Sequence, residues 1–572
     1  MKRVVLGAIV VLFAGVVGGV ACGPDNGNNN VKKFDLAGTD LDPDSDFSGP
    51  PILPVHDDMG SGTHDPVTCS EAMTSKSYIG CDYWPTVTGN AVWNVFDYAV
   101  VVSNPGTAMA NLTISGGALG AAKTQQVAPG ALVKIGLPWV TALKGPQASS
   151  TGGATPMTNS VKAVKGAYHL VSDVPVLVYQ FNALEYKAGT SGNDLNGTPW
   201  SMCPAASGLD CDSYSNDASL LLPSTAMTPN YIVTGIPGDD IKLTGKNGTP
   251  SPSGSSYVAI TATVDNTTVT MQLSKTGDIL ASSDASIAAV AQNAATPAKV
   301  MYTMNAGDVL QLLGAKGSTH DLTGSIIEAT QPIQVIVGMA CTTNPTNYVY
   351  LGSGFYSCDH IEETVLPVQT WGKSYVVTAP TGPDTTKQTH SVRIYGGLAA
   401  STLSFTPAVT GAPASIAPGT VVKFDTTTDF FVSGDKEFAV SSEQMSGQIV
   451  QPSALQAKGD PALSFFAAVE QYRDKYLFLA PTDYDNNFVD IVAPDGATLV
   501  LDGATVSTAP VAIGQGYSAR RVPLTAGSNA GAHTLTGSAP FGIQIVGYGA
   551  YTSYQYPGGL DLKVIAPTPP IL

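Results

Sequence analysis

Short apolar runs bounded by Gly, Pro, Asn and Ser recur along the chain from Thr68 onward. Asp97-Tyr98-Ala99-Val100-Val101-Val102 and Pro175-Val176-Leu177-Val178-Tyr179 are typical, rich in β-branched and aromatic residues. Runs of this length and composition predict strands. Only the Ala-rich stretch from Ile287 to Ala298 has a pattern that suits a helix.

The runs also repeat. A turn leading into a buried strand occurs as Ser172-Asp173-Val174-Pro175-Val176-Leu177-Val178. It returns as Thr330-Gln331-Pro332-Ile333-Gln334-Val335-Ile336 and as Ser538-Ala539-Pro540-Phe541-Gly542-Ile543-Gln544-Ile545. A copy without proline reads Gly434-Asp435-Lys436-Glu437-Phe438-Ala439-Val440. The proline is expected at a strand's first position, where its missing N–H breaks no ladder bond. Upstream of each copy lies a second turn and strand, as in Ala128-Pro129-Gly130, Asn305-Ala306-Gly307, Ala417-Pro418-Gly419 and Gly514-Gln515-Gly516. Downstream, Leu222-Pro223 precedes Tyr231-Ile232-Val233, and Leu366-Pro367 precedes Tyr375-Val376-Val377 at the same spacing. Tyr476-Leu477-Phe478 is the third copy, with Ala468 in the proline's place.

Repeats of this length are too long for propeller blades of ~40–50 residues and suit sandwich domains of ~100. The expected fold is all-β: about four tandem, mutually packed β-sandwich modules. They are placed at 67–219, 220–364, 365–468 and 469–572. Short joints predict one body rather than beads.

Before the modules, Lys2 and Arg3 lead into an apolar stretch from Val4 to Val20, ending Gly19-Val20-Ala21-Cys22. A basic start, a hydrophobic run and small residues mark a secretory signal over 1–21. Cys22 after small residues resembles a lipobox, which implies lipidation at Cys22 and a membrane partner through that lipid. Gly19 stands where Leu is usual, and a plain signal cut near Ala21 is the alternative. Gly23 after the cysteine favours sorting to the outer membrane, with the periplasmic or exterior face left open. Residues 22–66 read as a flexible acidic tether, with Asn28-Asn29-Asn30, Pro50-Pro51 and Asp40, Asp42, Asp44, Asp46. Those aspartates match half an EF-hand loop, but Ser45 and Pro51 replace the Gly and Glu it needs.

Seven cysteines fit an exported protein. With Cys22 set aside, six remain in three sequence-local groups, favouring Cys69–Cys81, Cys203–Cys211 and Cys341–Cys358 as disulfides. No Cys-x2-Cys spacing supports zinc. Lys plus Arg number 27 against 44 Asp plus Glu, a net charge of −17, which excludes nucleic acid as a partner.

Two runs carry a family resemblance. The first is Gly166-Ala167-Tyr168-His169-Leu170-Val171-Ser172-Asp173-Val174-Pro175-Val176-Leu177-Val178-Tyr179-Gln180-Phe181-Asn182. The second is Ser215-Asn216-Asp217-Ala218-Ser219-Leu220-Leu221-Leu222-Pro223. Together they resemble the N-terminal domain family of IgGFc-binding protein, common in secreted myxobacterial-type proteins, over about Asn90 to Tyr556. The resemblance implies a binding role and supplies no catalytic residues. Antibody Fc is discounted as the partner of an anchored bacterial lipoprotein.

Candidate chemistry is sparse. His-Glu-x-x-His, Gly-x-Ser-x-Gly and Gly-x4-Gly-Lys-Ser/Thr are absent, and neither a cofactor nor a metal is expected. His56-Asp57-Asp58 and His64-Asp65 fall in the tether. His169 reads as a structural histidine beside a strand. Asp483-x-Asp485-Asn486-Asn487 with Asp490 reads as a turn before a Ca²⁺ loop. Glu185, Asp217, Glu328 and Glu362 are the acids a glycoside hydrolase would draw on.

The reading is a non-enzymatic, lipid-anchored envelope protein that binds a protein or glycan partner. The alternatives are a carbohydrate-active enzyme or a structural coat component on the same architecture. The partner surface is expected on equivalent loops of successive modules, about Asn182 to Asp217 and Met339 to Glu363, each holding a cysteine pair. Tyr186, Trp200, Tyr214, Tyr348, Tyr350, Phe355 and Tyr356 are the candidate contact residues, since aromatics offer area at small entropic cost.

Overall fold

The computed structural model of the chain describes residues 65–145, 157–187, 212–239, 254–346, 358–452, 457–524 and 531–568. It is all-β, and one strand order occurs four times. In the first repeat the strands are Gly80–Tyr83, Tyr98–Ser103, Ala110–Gly116, Lys123–Val127, Leu132–Leu137, Tyr168–Asn182 and Ala218–Leu220. The sixth strand is long and bent. Its first half pairs with the first and third strands, and its second half pairs with the second and the seventh. Two antiparallel half-sheets therefore share one strand, which forms a corner of the sandwich. The sixth strands of the second and fourth repeats are Ile326–Thr342 and Ala532–Gly549. In the third repeat the sixth strand is divided into Phe430–Gly434 and Phe438–Gln444. The short seventh strands of repeats two to four, here called return strands, are Asp359–Thr364, Leu463–Phe465 and Thr552–Pro557.

The repeated prolines sit inside the long strand, which corrects the expectation of a first position. Ser172 is the last residue laddered to the third strand and Leu177 the first laddered to the second, with Pro175 between them. Pro332 and Pro540 occupy the same gap. A residue without an N–H fits where the strand leaves one ladder and has not joined the next. Where the proline is missing, at Gly434 to Glu437, the strand breaks.

A tyrosine fixes each bend. The hydroxyls of Tyr83, Tyr231 and Tyr375 donate to the carbonyls of Val176, Ile333 and Phe438 at 2.7, 2.7 and 2.6 Å. Tyr476 does the same to Phe541. Each acceptor follows the bend position directly, and all four tyrosines are buried. In repeats two to four the same oxygen accepts an N–H from three residues upstream: Thr228, Gly372 or Arg473. The recurring Pro-to-Tyr spacing thus encodes a turn followed by a lock. Pro223, Pro367 and Ala468 each open that turn, accepting from Ala226, Thr370 and Gln471.

Two expectations fail locally. Residues 287–298 form irregular backbone, with Ile279 bridged to Val290, because apolar content without a polar-apolar face gives a helix nothing to bury. Conversely, Cys69–Ser75 is helical. Thr68 and Glu71 form its capping box, and the Cys69–Cys81 disulfide ties it to the first strand.

The interior runs across repeats. One cluster joins Tyr83 and Val178 of the first repeat to Phe478 and Tyr556 of the fourth, and another joins Val335 of the second to Phe465 of the third. Residues 161–163 lie between strands of the first repeat yet pair with Val309–Leu313, adding a strand to the second repeat's sheet. Gly62–Leu572 is accordingly one compact unit.

Candidate binding surface

Each long strand ends in a connection to its return strand, and the four connections come together. Asn344 and Ser446 exchange hydrogen bonds, Ser446 N–H to Asn344 O at 2.8 Å and Asn344 N–H to Ser446 Oγ at 3.0 Å. Gly459 N–H donates to Gly549 O, and Tyr551 N–H to Ala457 O. The first repeat joins through Tyr214, whose ring meets that of Tyr551 edge to face at 6.2 Å. The described residues of these connections, 183–187, 212–217, 343–346, 358, 445–452, 457–462 and 550–551, thus share one end of the body. Asp65, Arg473 and Asp561 cluster beside the bend of the fourth repeat's long strand, Arg473 opposite Phe541, away from that end.

Beneath the connections the four return strands pack side by side, the fourth against the first. Asp217 is fully buried there, and its carboxyl reaches every repeat. Oδ1 accepts from Ala218 N–H at 2.9 Å and Gln555 N–H at 3.3 Å. Oδ2 accepts from the N–H groups of Glu362 and Leu463, both at 3.1 Å. Asp359 is held similarly, by the N–H groups of Asn216, His360 and Ser553 and the Thr552 hydroxyl. Burial pushes the Asp217 carboxyl well above its usual range while these N–H donors pull it back. Burial also raises Asp359, and the Asp460 carboxylate adds to it. Glu362 is buried too, accepting from Gln180 Nε2 at 3.0 Å, Thr88 Oγ1 at 2.6 Å and Asn182 Nδ2 at 3.2 Å.

These contacts place the four candidate acids. Asp217 and Glu362 are interior groups whose oxygens are occupied by the fold, with no open cleft between them for a sugar ring. Glu185 accepts Asp97 N–H at 2.9 Å, and burial, followed by the Asp97 charge, raises it to about 8. Glu328 lies on another long strand, opposite Asn230. The four do not converge.

The Asp483 turn binds protein groups. Asp483 accepts the N–H groups of Tyr186 and Lys187, Asp485 pairs with Lys187 and Lys458, and buried Asp490 accepts from Thr381. Asp65 pairs with Arg473 and Lys475. No cluster of three or more metal-ligating side chains occurs among the described residues. His169 stacks on Trp84 at 4.1 Å and bonds Asp82 at 2.7 Å.

Of the aromatic candidates, the structure corrects Tyr186. It is 1% exposed, packs on Tyr484 at 5.2 Å, and its hydroxyl accepts Ala550 N–H at 2.7 Å. Its ring fills the seam between the first and fourth repeats. Tyr214 is half-buried at the surface. Trp200, Tyr348, Tyr350, Phe355 and Tyr356 lie outside the described residues, as do Cys22, Cys203 and Cys211. Cys341 and Cys358 are bonded, with Cα atoms 5.2 Å apart.

Tyr551 is a residue the sequence did not flag. It and Tyr214 are the two aromatics among nine described non-glycine residues at positive φ, at 58° and 50°. That region costs an L-residue roughly 1–2 kcal/mol. The available signal was a bulky residue in a tight Gly549-Ala550-Tyr551-Thr552 turn. Asp359 and Asp460 were missed as well, though an aspartate stands at or just before three return strands.

A family model described as IgGFc binding protein matches residues 217–547, beginning at Asp217. The run from Gly166 to Asn182 lies outside that match. No curated protein and no solved structure matches the chain.

Proposed function

The chain belongs to the IgGFc-binding family, and from that premise we propose a non-enzymatic, lipid-anchored envelope protein that holds its partner at the end where the four connections meet. The observation that carries this reading is the convergence itself. Connections from four sequence-remote repeats are bonded together, the second to fourth through Asn344, Ser446, Gly459, Gly549, Ala457 and Tyr551, and the first through the Tyr186 hydroxyl that accepts Ala550 N–H. Binding residues concentrate on loops that a rigid scaffold positions, and equivalent loops of a repeat protein form its usual binding face. The anchor is Cys22, with the tether joining the body at Asp65, beside the bend of the fourth repeat's long strand. The Fc partner in the family's name is not carried over to this chain.

A photo-crosslinking residue placed at exposed Lys187, beside the connections, tests this in intact cells. A covalent adduct is expected from position 187 and not from position 73, an exposed methionine on the helix near the tether. Adducts from position 73 alone, or none from 187, would place the partner elsewhere.

A further inference from the structure

We propose that the chain pairs with a second copy of itself through the strand Lys299–Met304, edge to edge and antiparallel. This strand closes one side of the second repeat's sheet, and among the described residues it pairs with Thr267–Gln272 alone. Its ladder fixes which backbone groups face outward. Leu273 N–H donates to Ala298 O, and the register continues with Met271 opposite Val300, Val269 opposite Tyr302 and Thr267 opposite Met304. Antiparallel pairs alternate between bonded and non-bonded, so these three pairs are bonded. The N–H and C=O groups of Lys299, Met301 and Thr303 therefore point away from the sheet. Thr268, opposite Thr303, agrees with this alternation: its N–H turns the other way, to Thr330 Oγ1 at 2.9 Å.

The other repeats blunt the equivalent edge. It is cut to two residues at Ser415–Ile416 and at Ala504–Thr505, and at Lys123–Val127 its exposed side chains are Thr124 and Gln126. Short strands and polar side chains are common means of keeping sheet edges apart. Lys299–Met304 instead keeps six residues, with Met301 65% exposed at its centre. An edge of this length with an apolar centre is a template for another strand. The order of its outward residues selects the partner. About a two-fold axis at Met301, each copy's Met301 meets the other's Met301, and each Lys299 meets the other's Thr303. Every outward group is then bonded, and no like charges face each other. Thr303 O also accepts from Lys162 Nζ at 2.9 Å, and a carbonyl has a second lone pair for the new ladder.

The test is sedimentation equilibrium of the full chain carrying Cys22→Ser, loaded from micromolar to submillimolar concentration. A monomer–dimer equilibrium is expected, and a weak one, because so short an edge buries less than a standard interface. Met301→Pro removes an outward N–H and no bond of the existing ladder, a place where an edge strand tolerates proline. It should abolish the dimer while melting within a few degrees of the parent. Met301→Lys sets two cations against each other across the axis and should weaken association severalfold. Met109→Lys, at an exposed methionine of the first repeat, should leave it unchanged. Monomer at every concentration overturns the proposal and leaves the edge to an extended segment of another protein. A dimer that survives both substitutions at 301 also overturns it and moves the interface elsewhere. A collapse in the melting temperature of Met301→Pro would show that this N–H belongs to the ladder, and the outward edge would be lost with it.

Discussion

The bends of the long strands and the junction of the return strands solve similar problems in opposite ways. At the bends, four tyrosines make the same bond to the same carbonyl position, once per repeat. At the junction even the aspartates that return strands share make different bonds. Asp217 binds three other repeats, Asp359 binds two, and the fourth strand offers Thr552 and Ser553. A lock satisfied within its own repeat can be copied unchanged. A bond between repeats has a different neighbour at each position, so the copies must diverge there.

The sharpest way to break the comparison is Asp217→Asn. The amide matches the carboxylate in shape but turns an NH₂ toward N–H groups that need an acceptor. The expected loss is about 3–5 kcal/mol, read by denaturant unfolding, with all repeats melting together. A loss under about 1 kcal/mol would show that the junction is only packing.

The locks predict equality instead. Tyr231→Phe, Tyr375→Phe and Tyr476→Phe each leave a buried carbonyl and an N–H without a partner. Each should cost about 2 kcal/mol, similar across the three. A spread wider than the average would mean that the locks have specialised too.

Interfaces between repeats should also carry the pH dependence. Burial raises Asp490 to about 6, and the nearby Arg521 charge opposes the shift. The folded state therefore holds this proton more tightly than the unfolded chain. Its contribution is fully present below about pH 4 and is lost as pH rises through about 6, a fall of roughly 3 kcal/mol. Asp490→Asn should remove that slope from melting curves taken across the window; an unchanged slope would assign it to other carboxyls.

The smallest effect is expected at Lys475, which is 40% exposed and 3.8 Å from Asp65. Lys475→Ala should change stability by under about 0.5 kcal/mol in the same unfolding measurement. A larger loss would mean that the tether junction is a structural seam.

What the sequence made legible follows the same division. The prolines at 175, 332 and 540 recur in one turn-and-strand pattern, and the tyrosines at 231, 375 and 476 each stand eight residues after 223, 367 and 468, because each acts within its own repeat. The all-β fold was readable from them. The junction was not, because the partners of Asp217 lie at 362, 463 and 555, and no spacing relates them. Tyr186 was misplaced for the same reason. In its own loop it looks like a surface aromatic, and the groups that bury it, Tyr484 and Ala550, belong to the last repeat. The pairing of residues 161–163 with the second repeat crosses a module boundary drawn from sequence alone.

The chain's own direction of synthesis meets an obstacle in the clasp near the tether. Tyr78 N–H donates to Leu560 O, and Leu562 N–H to Lys76 O, so the first repeat shares backbone bonds with residues made almost five hundred positions later. A chain emerging from its amino end cannot finish its first core while the rest is still being made. Contacts at such separation form slowly. The closing bonds at Lys76 and Tyr78 therefore wait until residues 560–562 have been made.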